Sequence, residues 1–133
     1  MDEYGFRFRE WPVYKDALEF RRGVNNLLKR YPTEEKYALV DQTKRALTSI
    51  VLNIAEGSNK NTDKDTRVYL NRSHGSVDEV VACLDCALHD TYITTAEHAK
   101  ALAVASNLAK QLKGFSHFLG RQKSEKISAK IKD

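Results

Sequence analysis

The feature that most limits what this chain can become is a period. Apolar residues return every three or four positions in four separate stretches, and no stretch sustains alternation in steps of two. An α-helix turns every ~3.6 residues, so each recurrence draws one apolar stripe along a helix face. The first stripe is Val13, Ala17, Phe20, Val24, Leu27 and Tyr31, opened by Pro12 and closed by Pro32. Proline suits a first helical turn because its missing N–H has no partner there to lose. The second is Leu39 or Val40, Thr43, Ala46 with Leu47, Ile50 with Val51, and Ile54. Thr33 is placed to cap it, with Glu34 and Glu35 facing the positive end of its dipole, and Gly57 reads as a left-handed stop. The third is Tyr69, Ser73, Ser76 with Val77, Val80, Leu84, and Ala87 with Leu88, capped by Thr62. The fourth is Ala99, Leu102 with Ala103, Leu108 or Ala109, Leu112, Phe115, and Phe118 with Leu119. It begins at Thr94-x-x-Glu97, the pattern of a capping box.

Helices joined by short loops must run antiparallel to their neighbours, so the spacing predicts an all-α, antiparallel up-down-up-down four-helix bundle. At 133 residues the chain is one domain. The bundle is expected over residues 1–120. Within it, residues 1–11 carry Tyr4, Phe6, Phe8 and Trp11 among charges and read as an extended aromatic arm, laid on the bundle or reaching a neighbouring subunit. Residues 121–133 read as a basic, frayed tail. Gly75 lies inside the third helix, where glycine costs about 1 kcal/mol against alanine; close approach of a neighbouring helix is the expected compensation.

Composition removes several classes of protein. Hydrophobic residues make up 41% and charged residues 30%, too apolar for a disordered chain. No apolar run approaches the roughly 18 residues of a membrane span. Met1-Asp2-Glu3-Tyr4 lacks the basic start of a signal peptide, so a cytoplasmic location is expected. The net charge of +4 is unevenly placed. Residues 110–133 hold seven Lys/Arg against two Asp/Glu, while residues 1–109 are nearly balanced, with 15 against 16. Basic candidates for contact with RNA or DNA phosphates are Arg21, Arg22, Lys29, Arg30, Lys44, Arg45, Lys110, Lys113, Arg121 and Lys123. The alternative is an ordinary solvated face with partners three or four residues away.

Reaction chemistry is not evident. Cys83-x-x-Cys86-x-x-His89 tempts as a metal pattern, since steps of three share a broad helix face, but a closed zinc site wants a fourth ligand. A thioredoxin-like role needs a strand–helix setting. Inert, reduced thiols are the default in such a chain. His74, His98 and His117 have no nucleophile or Glu-x-x-His neighbour, and no phosphate-binding glycine loop is present. The expectation is a chain with no enzymatic activity, no cofactor, no metal and no small-molecule substrate.

Two motifs narrow the reading further. Asn53-Ile54-Ala55-Glu56-Gly57 ends the second helix, after Gln42-Thr43-Lys44-Arg45-Ala46. Gly75-Ser76-Val77-x-Glu79 follows on the third, after Tyr69-Leu70-x-x-Ser73, with Tyr92-Ile93 beyond. Together, over about residues 6–120, they resemble the four-helix-bundle family of 23S rRNA intervening-sequence proteins. The resemblance implies a bacterial protein, often encoded within insertions in 23S rRNA genes, and a homo-oligomer, with a pentameric ring favoured. It also implies distant kinship with an accessory protein of diversity-generating retroelements, which works with a reverse transcriptase and nucleic acid. The chain departs from the family pattern at Val81 and Cys83, where Glu and Gln are common, and at Thr91, where Gly commonly precedes Tyr-Ile. The motif residues Asn53, Glu56, Gly57, Gly75, Ser76 and Glu79 have two readings. They form an acidic pocket, or they are structural polar groups that satisfy one another and fix the register of two helices. Single acids without a partner base favour the structural one.

Overall fold

A computed structural model describes the backbone of residues 2–132 and the side chains of residues 2–121. Four helices form the bundle: α1 (Pro12–Leu28), α2 (Leu39–Gly57), α3 (Asp63–His89) and α4 (Thr95–Lys132). No strand occurs among the described residues. Consecutive helices pack on one another and α1 closes the ring against α4, with the α2–α3 and α3–α4 seams the most extensive. Cross-helix bonds give the antiparallel register. Ser73 Oγ donates to the Ile50 carbonyl at 2.9 Å, and Gln42 Nε2 donates to Glu79 at 3.0 Å. Gln111 on α4 donates to Asp16 on α1 at 2.7 Å, and Arg30 at the far end of α1 pairs with Glu97 in the first turn of α4.

The stripes fold inward. Leu47, Ile50, Ile54, Leu70, Leu84, Leu108 and Leu112 are all less than 2% exposed, and burying each is worth about 2 kcal/mol. On α1 the last inward position is Leu28 rather than Leu27, which is half-buried. On α4 the phase differs from the sequence reading. Ala101, Ala105, Leu108, Leu112 and Leu119 face the core, while Ala99, Ala103 and Phe118 are exposed. Alanine occurs on both faces of α4, so it does not mark the buried one. Two buried threonine hydroxyls are satisfied by backbone carbonyls: Thr43 donates to Leu39 at 2.7 Å and Thr66 to Gly57 at 3.0 Å.

Helix ends follow the predicted chemistry at three places and depart from it at three. Pro12 starts α1. Thr62 Oγ1 accepts from Asp65 N–H at 3.2 Å, and Thr94 and Glu97 form the reciprocal capping box at 3.1 and 2.9 Å. Thr33 does not cap α2; Thr33–Glu35 is a separate 3-10 turn, and Glu35 accepts from Leu39 N–H at 3.2 Å instead. Gly57 is not left-handed. The left-handed residue is Thr91, at φ 64, where Thr91 N–H and Tyr92 N–H bond back to Leu88 and Ala87 at 3.0 and 2.8 Å and close α3 in a Schellman turn. Helix α4 passes through Gly120 and runs to Lys132, because one glycine costs less than the neighbouring turns contribute.

The N-terminal segment is folded rather than extended. Gly5, at φ 89, turns the chain, and Arg7–Glu10 form a 3-10 turn. Phe8 packs edge-on to Tyr14 and Trp11 to Phe115, both with ring centroids 5.0 Å apart. Arg7 Nε donates to the Ser58 carbonyl at 2.9 Å. The arm is thus laid on its own bundle, leaving Tyr4 and Phe6 exposed.

Gly75 is exposed, with open space where a Cβ would project. It lies two residues from Ser73 and Val77, on the opposite side of α3, so it mediates no close packing. The close approach falls at Gly57, where a Cβ would stand 2.8 Å from Tyr69 Cβ.

Candidate nucleic-acid interface

Along α1, the positions Leu18, Arg21, Arg22, Asn25, Asn26 and Lys29 recur at three- and four-residue steps and form the ridge beside α2. Across from them α2 presents Val40 and Lys44. Between the ridges lies an open groove of about 580 Å³. Arg21, Arg22, Lys29 and Lys44 all line it, with Glu19 as its one acidic lining residue. Glu19 lies 3.8 Å from Arg22. Arg21 Nε donates to Thr48 Oγ1 at 3.4 Å, which turns the guanidinium toward α2. Leu18, Leu28 and Val40 give the groove an apolar component, and Asn25 and Asn26 supply amides.

Lys44 also borders a second shallow surface on α2, shared with Arg45, Thr48, Ser49, Leu52, Asn53 and Glu56. Arg45 is paired with Asp41 at 2.6 Å, and that carboxylate holds it charged. Leu52 is 59% exposed there.

The remaining basic candidates do not join this groove. Arg30 turns away to Glu97, whose carboxyl is held below the ordinary carboxylate range by the Thr94 backbone N–H and by Arg30. Lys110 and Lys113 are exposed on α4. Arg121 meets Arg67 and His117 between α3 and α4, at a separate cleft. Lys123, with the side chains of the basic tail, lies outside the described residues. Asn25 and Arg67 were not singled out by the sequence. Asn25 carries a weak signal, four residues from both Arg21 and Lys29; Arg67 carries none, since its neighbours come from α4.

The family-type motifs form a seam rather than a pocket. Asn53 Nδ2 donates to the Ser49 carbonyl at 2.9 Å and to Ser49 Oγ at 3.0 Å. Ser49 Oγ meets Ser76 Oγ at 2.8 Å across α2 and α3. Glu79 accepts from Gln42, whereas Glu56 pairs with Lys60 at 3.9 Å. Fourteen residues of α2 separate Gln42 from Glu56, roughly 21 Å along the axis, so the two acids do not converge.

The cysteine motif is likewise split. Cys83 is buried, where desolvation pushes its thiol up against a smaller opposing effect of the Thr43 hydroxyl; Cys86 and His89 are exposed. No three His, Cys, Asp or Glu side chains are gathered to hold a metal among the described residues. Nearby, Tyr31 is buried with its hydroxyl unpartnered, and desolvation pushes it up to about 12, with Cys83 and Glu97 adding to the rise. No helix among the described residues is long and apolar enough to cross a membrane.

This arrangement has a known setting. The profile of the 23S rRNA-intervening sequence proteins matches residues 9–114, which span the groove and both motifs. The chain belongs to this family. A solved member-like structure from Bacteroides thetaiotaomicron, described as a protein with unknown function from the S23 ribosomal protein family, superposes with a TM-score of 0.72. It is 26% identical, over 78% of this chain and 97% of that one. Among curated proteins none is a significant match. The 23S rRNA-intervening sequence match thus covers α1, α2, α3 and the first part of α4.

Proposed function

We propose that this member of the 23S rRNA-intervening sequence protein family is a non-enzymatic, cytoplasmic nucleic-acid accessory protein whose α1–α2 groove lies along a sugar–phosphate backbone. The observation that carries this is the convergence of Arg21, Arg22, Lys29 and Lys44, from two helices, on one groove with a single acid. Lys and Arg beside phosphates release condensed counterions, which drives sequence-independent binding and makes it salt-sensitive. The groove's lining is mostly guanidinium, ammonium, amide and apolar groups, which suits a surface for a charged backbone to lie on. Assembly of several copies, with the pentamer favoured, multiplies a weak contact through effective concentration.

The test is binding of the full chain to a structured RNA and a duplex DNA across a salt series. The expected result is binding at low salt whose log–log slope falls by about one for each phosphate contact removed in R21Q, R22Q, K29Q and K44Q. Absence of binding at low salt, or an unchanged slope in the fourfold variant, would overturn the proposal. A second reading, a protein-interaction module without a nucleic-acid role, is favoured by Leu52 and by Tyr37, which is 86% exposed. Light scattering at micromolar concentration decides its self-association component: a monomer there removes the ring from either reading.

A further inference from the structure

Two arginines gather on one cleft with no acidic residue beside them. Arg9, Arg22, Arg30 and Arg45 pair with carboxylates, and Arg72 lies over the Tyr69 ring. Arg67 and Arg121 form an ion pair with no carboxylate among the described residues. Arg67 instead reaches from α3 to α4, where its Nε donates to Ser116 Oγ at 3.4 Å. Its guanidinium crosses the α4 backbone at Gly120; a Cβ there would stand 3.0 Å from Nη1 and 3.1 Å from Cζ. His117, Gly120 and Arg121 are spaced three and four apart, so they share one face of α4. With Arg67 they line an open cleft of about 350 Å³ that has no acidic residue in its lining.

We propose that this cleft binds a phosphate group, held by the guanidinium forks of Arg67 and Arg121 with the His117 ring as a third polar partner. Planar guanidinium forks match pairs of oxygens on a tetrahedral oxyanion, and a dianion balances two fixed cations where a carboxylate balances only one. Gly120 leaves room for the Arg67 guanidinium, because a Cβ there would stand 3.0 Å from Nη1 and oblige Arg67 to shift. The site does not rest on the α1–α2 groove. Three of its four residues follow residue 114, where the family match ends.

Free phosphate and the terminal phosphate of a nucleic acid present the same chemistry, and the experiment separates them. The full chain is titrated with inorganic phosphate at low chloride and followed by the NMR signals of Arg67, His117 and Arg121. Saturable shifts are expected, with a dissociation constant on the order of millimolar, weakened about tenfold in R67Q and in R121Q as one charge-assisted contact is lost. Gly120→Ala weakens it as well, and R21Q/K44Q leaves it unchanged. Arg121 is exposed, so R121Q reports even if R67Q disturbs the α3–α4 packing. Displacement by a 5′-phosphorylated oligonucleotide but not by its 5′-hydroxyl twin assigns the terminal phosphate; displacement by neither assigns the free ion. No saturable shift, equal shifts with chloride, or undiminished affinity in both R67Q and R121Q overturns the proposal.

Discussion

Thr91 ends α3 with a left-handed backbone that its side chain does not favour. At φ 64 a β-branched residue crowds its own carbonyl, at a cost of about 1–2 kcal/mol. The Schellman bonds to Leu88 and Ala87 hold it there, and its Oγ1 donates to the Asp90 carbonyl at 2.6 Å. Thr91→Gly should therefore stabilise the protein by about 1 kcal/mol, net of the extra freedom glycine brings to the unfolded chain. A melting temperature raised by about 4 °C is the expected reading; an unchanged or lower one would show that the turn is not strained. The sequence offers a clue only through the family resemblance, which implies a glycine before Tyr92-Ile93 where Thr91 stands. The reason is conformational and concerns the backbone at a helix end. It lies in dihedral angles, which residue types indicate but do not fix.

At the scale of elements, the α2–α3 seam separates two glycines that look alike in the sequence. Gly57 packs against Tyr69 Cβ and the Thr66 carbonyl, so Gly57→Ala should destabilise by about 1–3 kcal/mol through overpacking. Gly75 has open space around it, so Gly75→Ala should stabilise by about 0.5–1 kcal/mol through helix propensity alone. Urea denaturation of the two variants should show midpoints moving in opposite directions; movement in the same direction would refute this account of the seam. The four helices and half of their ends are legible in the sequence because periodicity and capping are local. The inward face of α4 was less so, since Ala99 and Ala103 look apolar yet are too small to dictate a face. The α2 start departs from the Thr33 cap because the chain makes a 3-10 turn first, and Glu35 then takes over the cap.

For the whole molecule, the bundle is closed where the end of α1 meets the start of α4. Arg30 and Glu97 tie that corner, and Glu97 also bonds the Thr94 N–H. The Thr94 backbone N–H and Arg30 hold the Glu97 carboxyl below the ordinary carboxylate range in the folded state. A depressed carboxylate contributes stability that is present above its unfolded pKa and is lost as pH falls through the folded one. Glu97→Gln keeps a capping side chain but removes the charge. The variant should have a lower urea midpoint than the parent at neutral pH, and the gap should close as the pH falls through the acid range in which Glu97 takes up its proton. A gap that persists into acid would show that the corner does not depend on charge. Basic convergence is also a property of the whole molecule. Arg21 and Lys44 are far apart in sequence, and only the packing of α1 on α2 brings them to one groove. Arg67 and Arg121 are farther apart still. Charge counting pointed to the basic end of the chain, while the cations that gather are distributed along it.

The split between Cys83 and Cys86 gives the bundle a built-in gauge. The two thiols are three residues apart on one helix, yet one is buried beside Thr43 and the other is in solvent. A thiol-reactive dye therefore labels Cys86 at once, and reaches Cys83 only in molecules whose α3 has parted from α2. The second labelling rate is a clock for how often the bundle breathes, readable without altering any residue.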